Sequence, residues 1–373
     1  MLNINPFLIS GYLGPDYFCD REFETKEVID ALHNGRNLTL ISPRRMGKTG
    51  LIQHVFNHLR SEDEDISTFY VDIYSTRNLN EFVRLLASSI IGQLDSEPQR
   101  ALGRIGQFFR NMRPVITFDE LTGSPKVSVD VVPTTEEITL KEIFQYMAGS
   151  GRRCYVAIDE FQQITEYPEN GVEALLRSYI QFLPNVNFIF AGSKKHVMQL
   201  MFTSSKRPFY QSTQMMTIDA IDKRKYYDFA KIHFDKAGMS LSEEVFAYVY
   251  DRYEGHTWYI QSILNRLYGY RTEISIDLAN AAIDQIVSEF SYTYADLLRA
   301  YTDANTRLLR AIAKEGCVKE VMAGSFISKY NLKSASTVNT SLKKLIDNEL
   351  VYQTPKGYIL YDRFMNEWLR RLS

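Results

Sequence analysis

The sequence predicts an α/β fold: a parallel five-stranded sheet with helices on both faces, then a helical segment and a small domain closed by a β-hairpin. Three observations carry that prediction. Residues 38–51 (LTLISPRRMGKTGL) read as a short buried strand, a turn and a helix. Residues 69–74 (FYVDIY), 154–158 (CYVAI) and 187–191 (NFIFA) are apolar runs of strand length separated by helical patterns. That alternation favours parallel strands joined by right-handed crossovers. Beyond residue 220 the pattern is helical until two short strand-like runs near the end of the sequence.

With 373 residues and 45% hydrophobic side chains, the chain has enough material for two or three domains with cores of their own. Its apolar runs fall short of the roughly 20 residues a membrane span requires, and the first residues lack the basic flank of a secretory signal. A cytoplasmic protein without a membrane partner is expected. Cys19, Cys154 and Cys317 lie far apart without metal-ligand spacing, which predicts reduced thiols packed as small apolar groups and no zinc site. The net charge of −2 argues against a surface coated for nucleic acid, but residues 306–373 hold twelve Lys+Arg against six Asp+Glu, so the tail carries +6 and the rest −8. An anionic partner for the tail is one reading of that asymmetry; a solvated basic surface is the other.

In chain order, Val28, Ile29 and Leu32 mark a first helix. The strand at 38–41 then ends in a turn whose N–H groups belong to neither sheet nor helix and are available to an anion. Gly47 lets the backbone approach oxygen atoms closely, and the helix from Lys48 aims its positive dipole end at the same point. Lys48 supplies a mobile charge for outer phosphates, and Thr49 a hydroxyl for magnesium. Ser42, Pro43, Arg44, Arg45, Met46, Gly47, Lys48, Thr49 and Gly50 therefore form the expected phosphate-binding segment, with Ser42 where the strict pattern has glycine. Upstream, Tyr17 or Phe18 either stacks on a nucleotide base or seats the N-terminal segment on the core. Downstream come the strand at 69–74, a helix at 79–94, a β-hairpin on the sheet's rim (residues 115–118 and 127–131, around TGSP at 122–125), and a helix at 140–147.

The apolar strand at 154–158 ends in Asp159-Glu160. Adjacent carboxylates there are costly unless they serve a cation or a reacting water; the alternative is a cap for the helix that follows. Because side chains alternate along a strand, the two are expected to point in different directions, Asp159 to magnesium and Glu160 to the water that attacks the terminal phosphate. Ser193, just past the strand at 187–191, either senses that phosphate or caps the next helix. A strand at 215–218 completes the five.

SPRRMGKT, FYVDIY, the hairpin around TGSP, YVAIDEFQ, the AGS strand end and PFYQS, in this order, resemble the archaeal-type ATPases of the STAND group of P-loop NTPases, relatives of the AAA+ proteins. The resemblance spans nearly the whole chain. It implies the ASCE/AAA+-like P-loop fold, ATP and Mg2+ as ligands, and three domains: an ATPase core at 1–220, a helical lid at 221–300 and a winged helix at 301–373. ATP is expected over GTP on that resemblance, and because no Asn-Lys-x-Asp motif follows Gly192. The family's glycine–x–proline turn in the lid corresponds here to Gly255-His256-Thr257, making His256 the candidate lid contact. Relatives often carry arginine where PFYQS has Ser212, so any guanidinium needed for hydrolysis must come from Arg44, Arg45, Arg207 or a partner subunit.

The tail supports a winged helix independently. Helices are expected at 307–315, 325–330 and 334–348, the last with Val338, Leu342, Leu345 and Ile346 inward and Ser336, Asn339, Thr340, Lys343 and Lys344 outward. Residues 350–353 and 358–361 make the wing. That helix face suits duplex DNA, while winged helices also serve as protein-interaction modules. The sequence therefore predicts a magnesium-dependent ATPase acting as a nucleotide-driven conformational switch, the alternative being a DNA-binding regulator in which nucleotide is permissive.

Overall fold

The structure, a computed structural model, describes residues 4–94, 112–118, 125–131 and 136–372. Contacts divide the chain into two units: Ser10–Tyr226, and the chain from Tyr227 onward together with the described residues up to Ile9. The boundary falls early in the helix Lys223–Lys236.

In the first unit the order is α1 (Glu22–His33), β1 (Leu38–Ile41), α2 (Lys48–Glu62), β2 (Ile66–Asp72), α3 (Leu79–Leu94), β3 (Met112–Phe118), β4 (Pro125–Val131), α4 (Glu136–Ala148), β5 (Arg153–Asp159), α5 (Val172–Ile180), β6 (Val186–Gly192), α6 (Lys195–Thr203) and β7 (Gln214–Thr217). Five strands form one sheet in the order β2-β5-β6-β1-β7, every neighbouring pair parallel. This is the expected sheet. Alternation along the strands fills both faces: Leu38, Leu40, Ala157, Ile189 and Ala191 pack with α1 and α2. Val156, Ile158, Phe188 and Phe190 pack on the other side with α3, α4, α5 and α6. Each fully buried large apolar side chain stabilises by about 1.5–3 kcal/mol, which explains why central strands carry almost no polar side chains.

β3 and β4 form the expected antiparallel hairpin, Met112 opposite Val131 and Phe118 opposite Pro125. It is a separate two-stranded sheet whose β4 backbone runs beside α3, not an extension of the main sheet's rim. The expected turn residues Thr122, Gly123 and Ser124 lie outside the described residues.

The second unit contains α7 (Lys223–Lys236), α8 (Glu243–Arg252), α9 (Thr257–Tyr270), α10 (Ile276–Arg299), α11 (Asp303–Glu315), α12 (Gly324–Lys329), α13 (Ala335–Asp347), β8 (Val351–Thr354), β9 (Gly357–Leu360) and α14 (Arg363–Arg371). Ser242 caps α8, its hydroxyl accepting from the Val245 N–H. Phe7 is fully buried among Phe229, Phe234 and Tyr268. Asn5 Nδ2 donates to the Asn265 carbonyl (2.8 Å), and Asn265 Nδ2 to the Phe7 carbonyl (2.7 Å), so the first described residues are tied to α9 from both directions.

α11, α12, α13 and the β8–β9 hairpin form a helical domain with a wing. Val318 exchanges backbone hydrogen bonds with Tyr358 (3.0 and 2.8 Å), adding a bridge to the hairpin. Only glycine suits position 357: a Cβ there would lie 2.6 Å from the Val318 carbonyl oxygen. On α13, Val338, Leu342 and Leu345 are buried as expected, but Ile346 is exposed, together with Ser336, Thr340, Lys343 and Lys344. Ile346 follows Leu345 by one residue, a 100° step that carries it off the buried stripe. Aromatic rings from α8, α9 and α10 close on Phe364 of α14, with Tyr259 at 4.9 Å, Tyr253 at 5.4 Å and Phe290 at 6.4 Å between centroids. Arg252 and Glu367 add an ion pair at 2.9 Å.

Cys19 and Cys154 are buried free thiols, as expected, whereas Cys317 is exposed. No helix among the described residues is long and apolar enough to cross a membrane.

Candidate functional site

Topology places the site before any side chain is considered. β6 lies between β1 and β5, so the loop after β1 and the acidic end of β5 are two strand spacings apart, about 10 Å. Ser193 follows directly on β6, between them. The connection from β1 runs to β2 at one edge of the sheet, whereas that from β6 passes β1 to reach β7 at the other, and the carboxyl edge at such a switch point is where open α/β sheets bind ligands.

Backbone conformation shapes the loop. Arg45 (φ 70°) and Gly47 (φ 90°) take left-handed conformations, while Ser42 does not. That accounts for serine where the strict pattern has glycine: the backbone there makes no demand that a side chain violates. Ser42 is fully buried, its N–H donates to the Gly192 carbonyl (3.3 Å), and its hydroxyl donates to the Pro43 carbonyl (3.0 Å). Arg21, buried beneath the loop, donates to the carbonyls of Met46 (3.2 Å) and Asp219 (2.6 Å) and pairs with Glu24 at 2.7 Å. It fastens the loop to α1 and to the segment after β7. Sequence reasoning passed over this arginine.

Lys48 opens α2 and reaches across the gap. Its Nζ stands 2.7 Å from Asp159 Oδ1 and 3.2 Å from Glu160 Oε1. Thr49 donates its hydroxyl to Asp159 Oδ2 at 3.0 Å, and Tyr70 donates to the same oxygen at 2.7 Å. Burial opposes ionisation of Asp159, but the Lys48 ammonium and the hydrogen bonds from Lys48, Tyr70 and the Glu160 N–H outweigh it and hold the carboxyl below its ordinary range. Burial, and then the Asp159 charge, push the Tyr70 phenol up. Asp72, opposite Asp159 in the β2–β5 register, is raised by burial and by the charges of Asp159 and Glu160, against the Tyr74 N–H. Three carboxylates thus crowd one ammonium.

Alternation gives the wrong geometry for the acidic pair. Asp159 is the last residue of β5, and Glu160 leaves the strand with φ 54°, so the chain turns and both carboxylates converge on Lys48. Neither alternative capping role is realised. Glu160 heads the short helix Phe161–Glu166 without a side-chain cap bond, and Lys194, not Ser193, is the N-cap of α6. Ser193 instead donates to Glu160 Oε2 at 2.7 Å, and Gln162 Nε2 donates to the same oxygen at 2.5 Å.

Phe18 stacks on His54 of α2, with centroids 4.1 Å apart and 17° between planes, and its edge lies 3.4 Å from where a Cβ on Gly50 would stand. Tyr12 and His58 hydrogen-bond to the two nitrogens of His54, at 2.8 and 3.2 Å. Burial, then His58, lowers the His54 pKa to about 4. Arg44 lies over the Tyr74 ring, 5.5 Å from its centroid, and Arg207 pairs with Glu173. His256 belongs to the second unit, where it precedes α9 with its ring edge-on to Tyr259. The structure thus brings Lys48, Thr49, Asp159, Glu160 and Ser193 together, adds Tyr70, Asp72 and Gln162, and leaves His256 outside this unit.

The donor set is oxygen only: the Thr49 hydroxyl and Asp159 carboxylate meet at 3.0 Å, with Asp72 adjacent in register. It fits a hard divalent cation that takes few protein ligands and keeps several waters, as magnesium does.

Residues 18–263 match the model of an ATPase domain predominantly from Archaea, and residues 292–371 that of a probable winged helix domain. An uncharacterized ATP-binding protein of Methanocaldococcus jannaschii, MJ0147, is 23% identical over 313 residues, 75% of this chain and 77% of that protein. Among solved structures, the Walker-type ATPase PABY2304 of Pyrococcus abyssi superposes with a TM-score of 0.68 at 18% identity, covering 98% of this chain and 99% of that one. The ORC2 protein of Aeropyrum pernix, solved in ADPNP–ADP complexes, gives 0.63 at 15% identity, with 99% and 96% covered. The fold is that of the P-loop ATPases with a C-terminal winged helix, and the chain belongs to the family of ATPase domains found predominantly in Archaea.

Proposed function

We propose that the protein is a magnesium-dependent ATPase of the STAND group that works as a nucleotide-driven conformational switch. The observation that carries this reading is Lys48 bonded to both Asp159 and Glu160 at the sheet's switch point, with Thr49 on the same aspartate. The name of the M. jannaschii relative and the nucleotides in the A. pernix structure support ATP as the ligand. In this reading the loop from Ser42 to Gly50 cradles the phosphates with its N–H groups, and Lys48 meets the outer ones. Thr49 and Asp159 hold magnesium, which supplies charge neutralisation to the phosphate oxygens. Glu160 accepts the proton of the attacking water, Ser193 reports on the terminal phosphate, and Phe18 contacts the nucleotide's outer parts.

Arg207 pairs with Glu173 and Arg44 rests on Tyr74, so turnover in the isolated chain is expected to be slow, the guanidinium coming from Arg45 or from a partner subunit. The division into core (1–220), lid (221–300) and winged helix (301–373) belongs to the same proposal: nucleotide state sets how the latter parts engage the core. Two measurements test it. Phosphate release from ATP should require magnesium and stop with chelator. Hydrogen exchange should differ between protein loaded with a non-hydrolysable ATP analogue and with ADP; identical profiles would remove the switch.

A second reading concerns duplex DNA, and the exposed Ser336, Thr340, Lys343 and Lys344 on α13 favour it. Binding is then expected to weaken steeply with salt. Lys343→Ala with Lys344→Ala should reduce the log–log salt slope by about 2. No binding at low salt leaves the winged helix to a protein partner.

A further inference from the structure

Glu160 is not left to orient itself. Its Oε2 receives two hydrogen bonds, from Ser193 Oγ at 2.7 Å and Gln162 Nε2 at 2.5 Å, and both donors are almost wholly buried, Ser193 at 5% and Gln162 at 2% exposure. Two donors occupy the two lone-pair directions of that oxygen. Oε1 is the oxygen that remains, and it faces the Lys48 ammonium at 3.2 Å.

Gln162 is an odd choice if its task is packing. Its Oε1 is buried without a hydrogen-bond partner among the described residues, an arrangement that costs stability. Methionine has nearly the same length and would fill the space without burying an unpaired carbonyl. The neighbouring strand end also makes room for this amide. A Cβ on Gly192 would lie 2.3 Å from Gln162 Oε1 and 2.6 Å from the Met198 side chain, so glycine at the end of β6 keeps the Gln162 slot open. What the amide offers that methionine cannot is its N–H, and that N–H goes to Glu160.

We infer that Gln162 is a positioning residue: by holding Glu160 Oε2 together with Ser193, it fixes Oε1 as the oxygen presented to the attacking water. The inference rests on Glu160 acting as the proton acceptor, as proposed above. Gln162 touches neither nucleotide nor water in this scheme and acts only through Glu160.

Magnesium-dependent phosphate release and ATP affinity, measured on the full chain and its variants, test this. Gln162→Met should lower kcat about tenfold while KM for ATP changes less than about twofold, because the loss is confined to orientation of one group. Gln162→Glu should lose more at about pH 8, where two carboxylates oppose each other. It should recover relative to the parent at about pH 6, where the introduced group can hold a proton and donate it to Glu160. A structural role predicts no such recovery. Gln162→Met turning over like the parent, or losing kcat and ATP affinity together, overturns the inference, as does a Gln162→Glu profile parallel to the parent's. Glu160→Gln serves as the control: if it still hydrolyses ATP, the reading of Glu160 is wrong and the inference falls with it. If it is inactive while Gln162→Met is normal, only the role of Gln162 is lost.

Discussion

Lys48→Ala is expected to abolish ATP binding, with affinity falling at least about 100-fold, some 2.7 kcal/mol. Two effects add. The ammonium that would meet the outer phosphates is gone, and Asp159 and Glu160, at 2.7 and 3.2 Å from it, are left facing a polyanion uncompensated. Removing one partner of a buried ion pair typically costs about 3–5 kcal/mol, so the variant should also unfold at lower temperature. Lys48→Met, which keeps the stem, separates loss of charge from loss of packing. Asp159 makes the pH dependence specific. Its carboxyl is held below the ordinary range, so it contributes stability that is present above that range and disappears as pH falls through the lowered value. Without Lys48 that contribution shrinks, and the acid limb of the unfolding curve should move to higher pH. Equilibrium binding of radiolabelled ATP with thermal unfolding across pH checks both results; retained affinity would sink the loop assignment.

Glu160→Gln is expected to do the opposite to the two functions, leaving nucleotide affinity within a few-fold and reducing phosphate release by about 100-fold or more. The amide keeps the shape, and its oxygen still accepts from Ser193 and Gln162; the Lys48 bond that it loses is one that Lys48 gives up to the outer phosphates in the proposed complex, so affinity should change little. Single-turnover hydrolysis on protein saturated with ATP is the relevant measurement, because it excludes product release. If bound ATP is cleaved at the parent's rate, Glu160 is not the residue that activates water.

The parts of the site that could be read from the sequence are those whose chemistry is local. A loop ending in Gly47-Lys48-Thr49 and a strand ending in Asp159-Glu160 each announce themselves within a few residues, and the apolar runs around them fix the sheet. What escaped depends on register and on backbone angles. Tyr70 and Asp72 matter because β2 pairs with β5 so that Asp72 faces Asp159, which no periodicity in either strand reveals; their signal was two polar groups, two residues apart, within the apolar run at 69–74. Gln162 matters because Glu160 takes φ 54° and turns back over it. Alternation fails at Glu160 for the same reason: the residue is already outside the strand. Arg21 acts through carbonyls distant in sequence, and its φ of 67° breaks the helical pattern that marks α1.

The burial of Phe7 against α7 and α9 carries a consequence for synthesis. Phe7 is tied to partners, Phe229 to Tyr268, that are synthesised more than 200 residues after it. At about 5–20 residues per second that is a wait on the order of 10–50 s, during which the whole sheet of Ser10–Tyr226 can form while Phe7 still lacks its partners. Until those partners are made, the nascent chain carries Phe7 without the rings that bury it.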